Sequence, residues 1–324
     1  MRAIVCESYG PPDVLRLEEV TKPAPKREEI VVKILATAVN SADWRMRKGE
    51  PFPVRFFFGL TKPRRPVLGG VFAGVVEEIG QDVSGLRAGD AVFGVTGMTF
   101  GAYADYISLP EKAVLTFKPP AISFEEAASV PFGGLTALHF LKKANIESGQ
   151  NVLIYGASGA VGTAAIQLAK HYGALVTGVC STENVALVRS LGADHVIDYK
   201  KEDFTASDEQ YDMIFDTVGK ASVLSSQKRL KKNGRLILGA SGLSQMWQSV
   251  TASITTRTKV ISGVSAERTD HLITLKELLE TGAFRPVIDR CYPLEKIVEA
   301  HRYVEKGHKK GNVVITMAKA SENS

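Results

Sequence analysis

The sequence predicts an α/β protein that combines a doubly wound parallel sheet with a separate β-rich part. In the middle of the chain, continuous apolar strands alternate with helical patterns, as in a parallel sheet covered on both faces. In the first third, short strands follow one another between Gly, Pro and Asp turn signals, which indicates a small barrel or sandwich. The length of 324 residues suits about two domains.

The composition excludes several classes of protein. With 44% hydrophobic and 23% charged residues, the chain is typical of soluble globular proteins rather than disordered or fibrous ones. The net charge of +5 is small, and basic pairs such as Arg64–Arg65 and Lys231–Lys232 lie far apart. We therefore expect no nucleic-acid partner. Three cysteines exclude a disulfide framework and a four-cysteine zinc lobe.

Targeting and membrane signals are weak. The start of the chain does not resemble a signal peptide, because Glu7 interrupts the apolar residues after Arg2. The longest uncharged run, 148–169, is interrupted by glycines and makes a poor membrane span. These features predict a cytoplasmic protein without a membrane partner.

The first third contains four strand patterns bounded by turn residues. Segment 51–66 breaks this pattern with prolines, basic residues and three consecutive phenylalanines, Phe56 to Phe58. Long irregular loops are usually functional or mobile, so the segment is predicted to be either a substrate lid or a hydrophobic partner surface. The predicted strands are Ile30–Leu35, Val71–Ile79, Ala91–Val95 and Tyr103–Leu109.

The middle of the chain alternates strands and helices, and the last part of the chain resembles the first third again. Expected boundaries near 119 and 287 divide the chain into 1–119, 120–286 and 287–324. The predicted strands are Val152–Tyr155, Leu175–Val179, His195–Asp198, Met213–Phe215, Arg235–Leu238, Val260–Ile261 and Val313–Ile315. The first predicted helix opens in the glycine-rich turn and runs to Tyr172. The other predicted helices are Asn184–Ser190, Ala221–Leu230 and Leu294–Lys306.

The most informative feature is a glycine-rich turn, Gly156–Gly162, which follows a strand and opens a helix. Dinucleotide binding needs a turn that tolerates positive φ, bare backbone for the diphosphate, and close packing of helix on strand. The helix amides and dipole then favour the anion. The spacing is Gly-x-x-Gly-x-x-Gly instead of Gly-x-Gly-x-x-Gly, but the strand–turn–helix context predicts a dinucleotide site.

A rival interpretation is the nucleophile elbow of α/β-hydrolases, with Ser158 as the nucleophile. Asp216 and His301 follow in the required chain order. However, no His-Gly-Gly-type oxyanion loop precedes the turn, and an elbow does not require Gly162. We therefore favour dinucleotide binding.

The end of the next strand indicates which coenzyme binds. About 20 residues along, an NAD enzyme places an acid for the ribose 2′-hydroxyl, whereas this chain has Cys180–Thr182 there. Its hydroxyls can donate to a 2′-phosphate, and Tyr199 and Lys200 can stack and add positive charge. Glu183 argues in the other direction, because its carboxylate repels a phosphate. NADP(H) is therefore favoured over NAD(H).

Motifs along nearly the whole chain resemble the zinc-free medium-chain dehydrogenases/reductases of the quinone oxidoreductase (zeta-crystallin-like) branch. The resemblance implies a GroES-like β-barrel catalytic domain, a Rossmann NADP-binding domain, an active site in the cleft between them, and a homodimer. The motifs are Val39–Asp43, Ala73–Val76, Gly89–Gly94, Gly101–Tyr106, Ala127–Pro131, Gly134–Ala137, Gly156–Gly162, Leu191–Asp194 and Phe215–Gly219.

The resemblance also bears on metal binding. Zinc-dependent relatives have a cysteine at the position of Asn40, His-Glu at Gly70–Val71 and a further cysteine near Pro131–Phe132. The residues of this chain supply no suitable ligand set for catalytic zinc. The resemblance therefore implies an enzyme without metal.

Candidate site residues follow from the same resemblance. Asn40 and Thr136 correspond to contacts on the nicotinamide and substrate side, and they are the candidate catalytic residues. Tyr103 and Trp44 are weaker candidates for substrate contact, because aromatic residues in a barrel more often belong to the core. The candidate cofactor contacts are Asn40, Thr136, Gly156, Ala157, Ser158, Gly159, Ala160, Val161, Ser181, Tyr199, Gly219, Ala240, Ser241 and Val264.

Without a Lewis acid, the simplest chemistry is addition of hydride to an activated acceptor, such as a quinone or the β-carbon of an enone. A preorganised donor aimed at the carbonyl oxygen contributes ~2.7–4 kcal/mol to such a step. The sequence therefore predicts an NADPH-dependent reductase of quinones or α,β-unsaturated carbonyls. The alternatives are a zinc-free NADP-dependent alcohol dehydrogenase and a non-catalytic NADPH-binding scaffold.

Overall fold

The structure, a computed structural model, describes residues 1–239 and 259–317. The chain forms two compact units. The first comprises Met1–Phe132, Glu267–Glu280 and Pro286–Ser324, and the second comprises Gly133–Ala266 and Thr281–Arg285. The first unit extends beyond residue 119 because the beginning of a long helix belongs to it.

The strands and helices of the described residues are numbered in chain order. The strands are β1 Arg2–Cys6, β2 Leu15–Glu19, β3 Glu29–Val39, β4 Val71–Ile79, β5 Ala91–Val95, β6 Tyr106–Pro110, β7 Leu115–Phe117, β8 Asn151–Tyr155, β9 Leu175–Cys180, β10 His195–Asp198, β11 Tyr211–Asp216, β12 Leu230–Leu238, β13 Lys259–Ser262, β14 Ile288–Pro293 and β15 Asn312–Thr316. The α-helices are α1 Ser41–Lys48, α2 Val54–Phe58, α3 Phe124–Lys143, α4 Ala160–His171, α5 Val185–Ser190, α6 Val223–Lys228, α7 Thr269–Glu280 and α8 Ile297–Glu305.

The second unit is built on a parallel sheet, which confirms the predicted doubly wound architecture. Its strands lie in the order β10-β9-β8-β11-β12-β13, and each neighbouring pair is parallel. The chain therefore builds the sheet outward from β8 in one direction and from β11 in the other. Ligands of such sheets bind at the carboxyl ends of the strands where the order reverses, which here is between β8 and β11.

Apolar strands account for this sheet. Leu153 of β8, Ile214 of β11 and Leu236 of β12 are fully buried and lie in one hydrophobic cluster. Continuous apolar runs of this kind are typical of strands covered on both faces. The predicted strands of this region are all present, with ends that differ by a few residues.

The first unit contains a mostly antiparallel sheet in the order β14-β15-β3-β4-β5-β7, and β6 also pairs with β3. A separate antiparallel pair is formed by β1 and β2. The core of the unit lies against the long strand β3, where Ile30, Val32 and Ile34 are buried together with Phe72 and Tyr103. The β-rich prediction for the first third is therefore confirmed.

Segment 51–66 differs from its prediction as an irregular loop, because residues Val54–Phe58 form the short helix α2. Pro53 directly precedes this helix, and proline is compatible with the first turn of a helix because no amide is lost there. None of the described helices combines the length and the apolar character that a membrane crossing requires.

Candidate functional site

The turn between β8 and α4 uses its three glycines in three different ways. Gly156 has φ +81°, and a Cβ atom there would lie 2.6 Å from Cγ1 of Val218. A Cβ on Gly162 would lie 2.2 Å from the backbone oxygen of Gly156, so only glycine allows the helix to pack this closely. A Cβ on Gly159 would have its nearest neighbour at 3.6 Å. One glycine therefore makes the turn, one permits close packing, and Gly159 leaves its backbone open to a ligand.

Helix α4 begins at this open backbone. Gly159 is the N-cap residue, and no side chain caps the helix there. The first amides of a helix have no partner within the helix, and its dipole places partial positive charge at this end. The turn and the helix start together form a site suited to a diphosphate.

Asn184 connects the turn to the tip of the neighbouring strand, β9. Its Nδ2 atom donates to Oγ of Ser158 at 3.0 Å and to Oγ of Ser181 at 3.2 Å. The side chain is buried, and its Oδ1 atom has no hydrogen-bond partner among the described residues. The sequence analysis missed Asn184, although it stands at the N-cap of α5, a position where asparagine is favoured.

The tip of β9 carries balanced charges. Lys200 Nζ donates to Oε1 of Glu183 at 2.5 Å. The ion pair with Lys200, helped by a hydrogen bond from Ser181, lowers the pKa of Glu183 to about 2. The repulsion that Glu183 would exert on a 2′-phosphate is therefore offset by the ammonium group beside it.

Asp216 organises the loop that follows β11. Its carboxylate accepts hydrogen bonds from the backbone amides of Val218, Gly219 and Ala221 at 2.8–2.9 Å. Burial raises the pKa of Asp216, and these amides act in the opposite direction. The loop lies directly beside Gly156, because Thr217 Oγ1 donates to the backbone oxygens of Tyr155 and Gly156.

A cavity of about 330 Å³ adjoins this loop in the second unit. Tyr199, which is half exposed, lines it, as do residues at the ends of β8 and β9. Tyr199 therefore lines a cavity of the second unit, and its contact with adenosine stays a prediction. The lining side chains include Tyr155, Val179, Tyr199, Phe204, Lys220 and Ser222.

Thr136 lies inside the long helix α3, and its Oγ1 shares a hydrogen bond of 3.4 Å with Oγ of Ser265. Val264, the residue before Ser265, is 93% exposed. The structure thus brings two predicted cofactor contacts, Thr136 and Val264, to the same part of the second unit. Ala240 and Ser241 lie outside the described residues.

Asn40 stands at the start of α1 in the first unit. Its backbone amide donates to Oδ2 of Asp43 at 2.8 Å, and Oδ1 of Asp43 accepts from the amide of Gly70 at 3.1 Å. The side chain of Asn40 is only 2% exposed. Its Oδ1 lies at the capping-box position over the backbone amide of Asp43, and its Nδ2 has no hydrogen-bond partner among the described residues. A buried unpaired polar group costs ~1–3 kcal/mol, so this amide fits a residue retained to bind a ligand.

The two weaker aromatic candidates lie in different surroundings. Tyr103 has no exposed surface, belongs to the core of the first unit, and packs edge-on against His301 with ring centres 5.7 Å apart. Trp44 is half buried, and the cations of Arg45 and Lys48 lie 5.5 and 5.2 Å from its ring. The complete burial of Tyr103 favours a role in packing.

The positions of zinc ligands in the related enzymes carry no thiolate or imidazole here. They are occupied by Asn40, Gly70–Val71 and Pro131–Phe132, which do not fit a catalytic zinc site. Among the described residues, no group of three or more His, Cys, Asp and Glu side chains could hold a metal ion. Operation without zinc stays a prediction.

The three side chains of the hydrolase alternative are each engaged elsewhere. Ser158 Oγ accepts from Asn184, and Asp216 accepts from three backbone amides. His301 is buried in the first unit, where its Nδ1 accepts from Nε of Arg47 at 3.4 Å. These contacts disfavour a hydrolytic triad.

Two family descriptions match the chain. Residues 26–119 match the alcohol dehydrogenase GroES-like domain, and residues 191–315 match the zinc-binding dehydrogenase family. The first match covers most of the antiparallel sheet of the first unit. The second begins after the glycine-rich turn and ends within β15.

Similar proteins cover nearly the whole chain. A 2-methylene-furan-3-one reductase of Solanum lycopersicum is 36% identical over 97% of this chain and 79% of its own. An NADPH-dependent alkenal/one oxidoreductase of Arabidopsis thaliana is 33% identical with the same coverage of both chains. The structure of the quinone oxidoreductase from Coxiella burnetii has a TM-score of 0.90 and 31% identity, covering 98% of this chain and 99% of that one. With this nucleotide-binding geometry, the chain belongs to the medium-chain dehydrogenase/reductase family, in its quinone oxidoreductase-like branch.

Proposed function

We propose that this protein is an NADPH-dependent reductase of quinones and α,β-unsaturated carbonyl compounds. The observation that carries the proposal is the glycine turn at the reversal point of the parallel sheet, where Gly159 is open beside an uncapped helix start. The printed names of the similar proteins, which include an NADPH-dependent alkenal/one oxidoreductase and a quinone oxidoreductase, support the same chemistry.

The second unit supplies the binding groups for the coenzyme. The backbone from Gly156 to Val161 receives the diphosphate, and Asn184 holds this turn in register with Ser181. Ser181 and Lys200 receive the 2′-phosphate, while Tyr199 contacts the adenosine end. Gly219 and Val264 line the cofactor along the loop after β11 and the chain after β13.

Thr136 of the second unit is proposed to contact the nicotinamide end of the coenzyme, and Asn40 of the first unit is proposed to bind a carboxamide. A carboxamide such as that of nicotinamide has one donor group and one acceptor atom, and the buried amide of Asn40 offers the complementary pair. Bound NADPH supplies the hydride and its electrons. The residues of this chain align the acceptor and exclude water, which together lower the barrier without an activated nucleophile.

Four finer features belong to the proposal. NADPH is preferred over NADH, because Ser181 stands at the tip of β9 and the carboxylate of Glu183 is neutralised by its ion pair with Lys200. The reaction proceeds without zinc, because the equivalent ligand positions lack suitable donors. A homodimer and a cytoplasmic location are supported only by the resemblance and the sequence, and light scattering tests the first of them.

The test is a set of assays with purified protein that follow the absorbance of the coenzyme. We expect enones and quinones to be reduced with consumption of NADPH, and more slowly when NADH replaces it. Saturated aldehydes should not be reduced. Turnover of alcohols with NADP⁺ alone would instead support an alcohol dehydrogenase. Binding of NADPH without consumption by any acceptor would contradict the enzyme and support a scaffold.

A further inference from the structure

Segment 51–66 carries most of the net charge of the protein. It contains Arg55, Lys62, Arg64 and Arg65 and no acidic residue, so its formal charge is +4. Because the whole chain carries +5, the remainder of the protein is close to neutral. The excess of positive charge that looks scattered along the sequence is therefore concentrated in one surface segment.

The same segment exposes large apolar side chains. Phe52, Phe56, Phe57 and Leu60 are 60%, 58%, 75% and 56% exposed. Scattered exposed apolar residues are ordinary, but a contiguous group indicates an interaction site. Lys62, Arg64 and Arg65 are exposed beside them. Positive and apolar groups thus share one surface.

Defined contacts hold the phenylalanines outward. Tyr9 donates from its hydroxyl to the backbone oxygen of Gly59 at 2.6 Å. Arg55 donates to the backbone oxygens of Gly49 and Lys48 at 3.1 Å. Phe58 turns inward, with its ring 5.6 Å from that of Phe100. Contacts within the first unit therefore fix the segment with these rings exposed.

A second stretch of chain extends this surface. Arg65 donates to the backbone oxygen of Thr99 at 3.2 Å. Met98, the residue before Thr99, is 69% exposed. The apolar surface therefore continues beyond the segment itself.

We propose that segment 51–66 docks the protein on the surface of an anionic lipid bilayer. Phe52, Phe56, Phe57 and Leu60 enter the boundary between headgroups and acyl chains, where aromatic and aliphatic side chains of membrane-surface helices bind. The basic side chains contact lipid phosphates. This peripheral contact needs no membrane-spanning helix, and it departs from the sequence-based prediction of a protein without a membrane partner.

Charge complementarity favours this partner over a second copy of the chain. In a twofold-symmetric dimer the same patch meets itself, so the cations of one copy would face those of the other. A bilayer instead provides negative charge and an apolar layer at the same surface. Single-stranded nucleic acid also offers phosphates and stacking faces, and the experiment separates it from lipid.

The test is co-sedimentation with vesicles in the absence of coenzyme, so it is independent of the proposed catalytic function. Vesicles of phosphatidylcholine alone are compared with vesicles containing about one third phosphatidylglycerol. We expect at least about tenfold stronger binding to the anionic vesicles, because each basic residue near such a surface strengthens binding about fivefold. Binding should weaken strongly at about 0.5 M NaCl, where surface charges are screened.

Matched variants locate the surface. Arg64→Glu with Arg65→Glu should reduce binding to anionic vesicles to the level of neutral ones. Lys142→Glu with Lys143→Glu makes the same change in net charge at an exposed pair on α3 and should bind as the wild type does. Phe56→Ser with Phe57→Ser should also weaken binding at low salt. Circular dichroism and thermal unfolding verify that each variant is folded.

Three outcomes would overturn the proposal. One is equal loss of binding in the α3 control, which would indicate a nonspecific charge effect. Another is tighter binding of single-stranded DNA than of anionic vesicles at the same salt. The last is dissociation of a dimer by the Phe56–Phe57 variant with vesicle binding unchanged, which would assign the surface to a second copy.

Discussion

The side chain of Asn40 combines a structural position with a binding group. Its Oδ1 lies at the capping-box position of α1, whereas its buried Nδ2 has no hydrogen-bond partner among the described residues. A bound carboxamide would supply an acceptor for this Nδ2. A buried polar group without a partner in the protein calls for an explanation, and binding of a ligand supplies one.

Replacement of Asn40 by alanine tests this interpretation. We expect kcat/KM with NADPH and an enone to fall about 10- to 100-fold, the loss of two hydrogen bonds. The free energy of unfolding without coenzyme should fall by only about 0.5–2 kcal/mol, the usual cost of replacing an N-cap asparagine by alanine. A loss of stability together with unchanged kinetics would assign Asn40 a structural role.

His301 is a buried histidine that stays neutral. Burial, with the nearby Arg47 cation, lowers its pKa to about 3 from a reference value of 6.5. Below pH 6.5 the unfolded chain binds a proton that the folded protein does not. The contribution of His301 to stability is therefore present above pH 6.5 and is lost as the pH falls toward 3.

The variant His301→Phe should remove this dependence. Its free energy of unfolding should fall less steeply between pH 6 and pH 4 than that of the wild type, by up to about 1.4 kcal/mol per pH unit. Denaturant unfolding at a series of pH values measures the difference. Parallel profiles for the two proteins would show that His301 does not control the acid limb.

Some residues of the site could be read from the sequence and some could not. The glycine turn follows from local geometry, and it stands where it was predicted. Asn184 joins Ser158 to Ser181 across the sheet, a relation that depends on the pairing of β8 with β9 and not on local sequence. The complete burial of Tyr103 likewise depends on strands distant in the chain.

At the scale of elements, the turn before α4 predicts opposite outcomes for two neighbouring glycines. Gly162→Ala places a methyl group 2.2 Å from a backbone oxygen, so we expect a clear loss of thermal stability. Gly159→Ala meets nothing closer than 3.6 Å, so the protein should fold normally and bind NADPH at least about tenfold more weakly, because the methyl group occupies space needed by the diphosphate. Calorimetric titration measures the affinity, and unchanged affinity in Gly159→Ala would place the diphosphate elsewhere.

Apolar strands were easier to predict than helices. β4, β5 and β10 have the predicted ends, because turn residues bound each of them closely in the sequence. The helix α3 was not predicted, since Pro131 and two glycines interrupt its pattern. The structure explains one of these glycines: a Cβ on Gly133 would lie 2.4 Å from the backbone oxygen of Ala160. A packing requirement distant in sequence thus overrides local helix propensity.

At the scale of the whole molecule, the order of motifs was sufficient to predict the fold class. The parallel order of β8 to β13 and the antiparallel sheet around β3 both agree with it. The charge distribution was less accessible, because net charge and basic pairs do not reveal exposure. Only the structure shows that segment 51–66 presents cations and phenylalanines on one surface.

Coenzyme and metal should affect the intact protein differently. At a concentration of about 100 times its Kd, NADPH should stabilise the folded protein by about 2.7 kcal/mol, since it binds the native state. Dialysis against a chelator should change neither the unfolding midpoint nor the rate of enone reduction. Loss of activity that added zinc restores would contradict operation without metal.

The loop after β11 has a kinetic consequence. Asp216 holds the backbone amides of this loop through hydrogen bonds within the protein itself, so we expect that capture of the coenzyme does not wait for this stretch to become ordered. Association that requires no rearrangement proceeds in a single bimolecular step. Stopped-flow mixing should then show an observed rate constant that rises linearly with coenzyme concentration. Release of the oxidised coenzyme then becomes the step that can limit turnover.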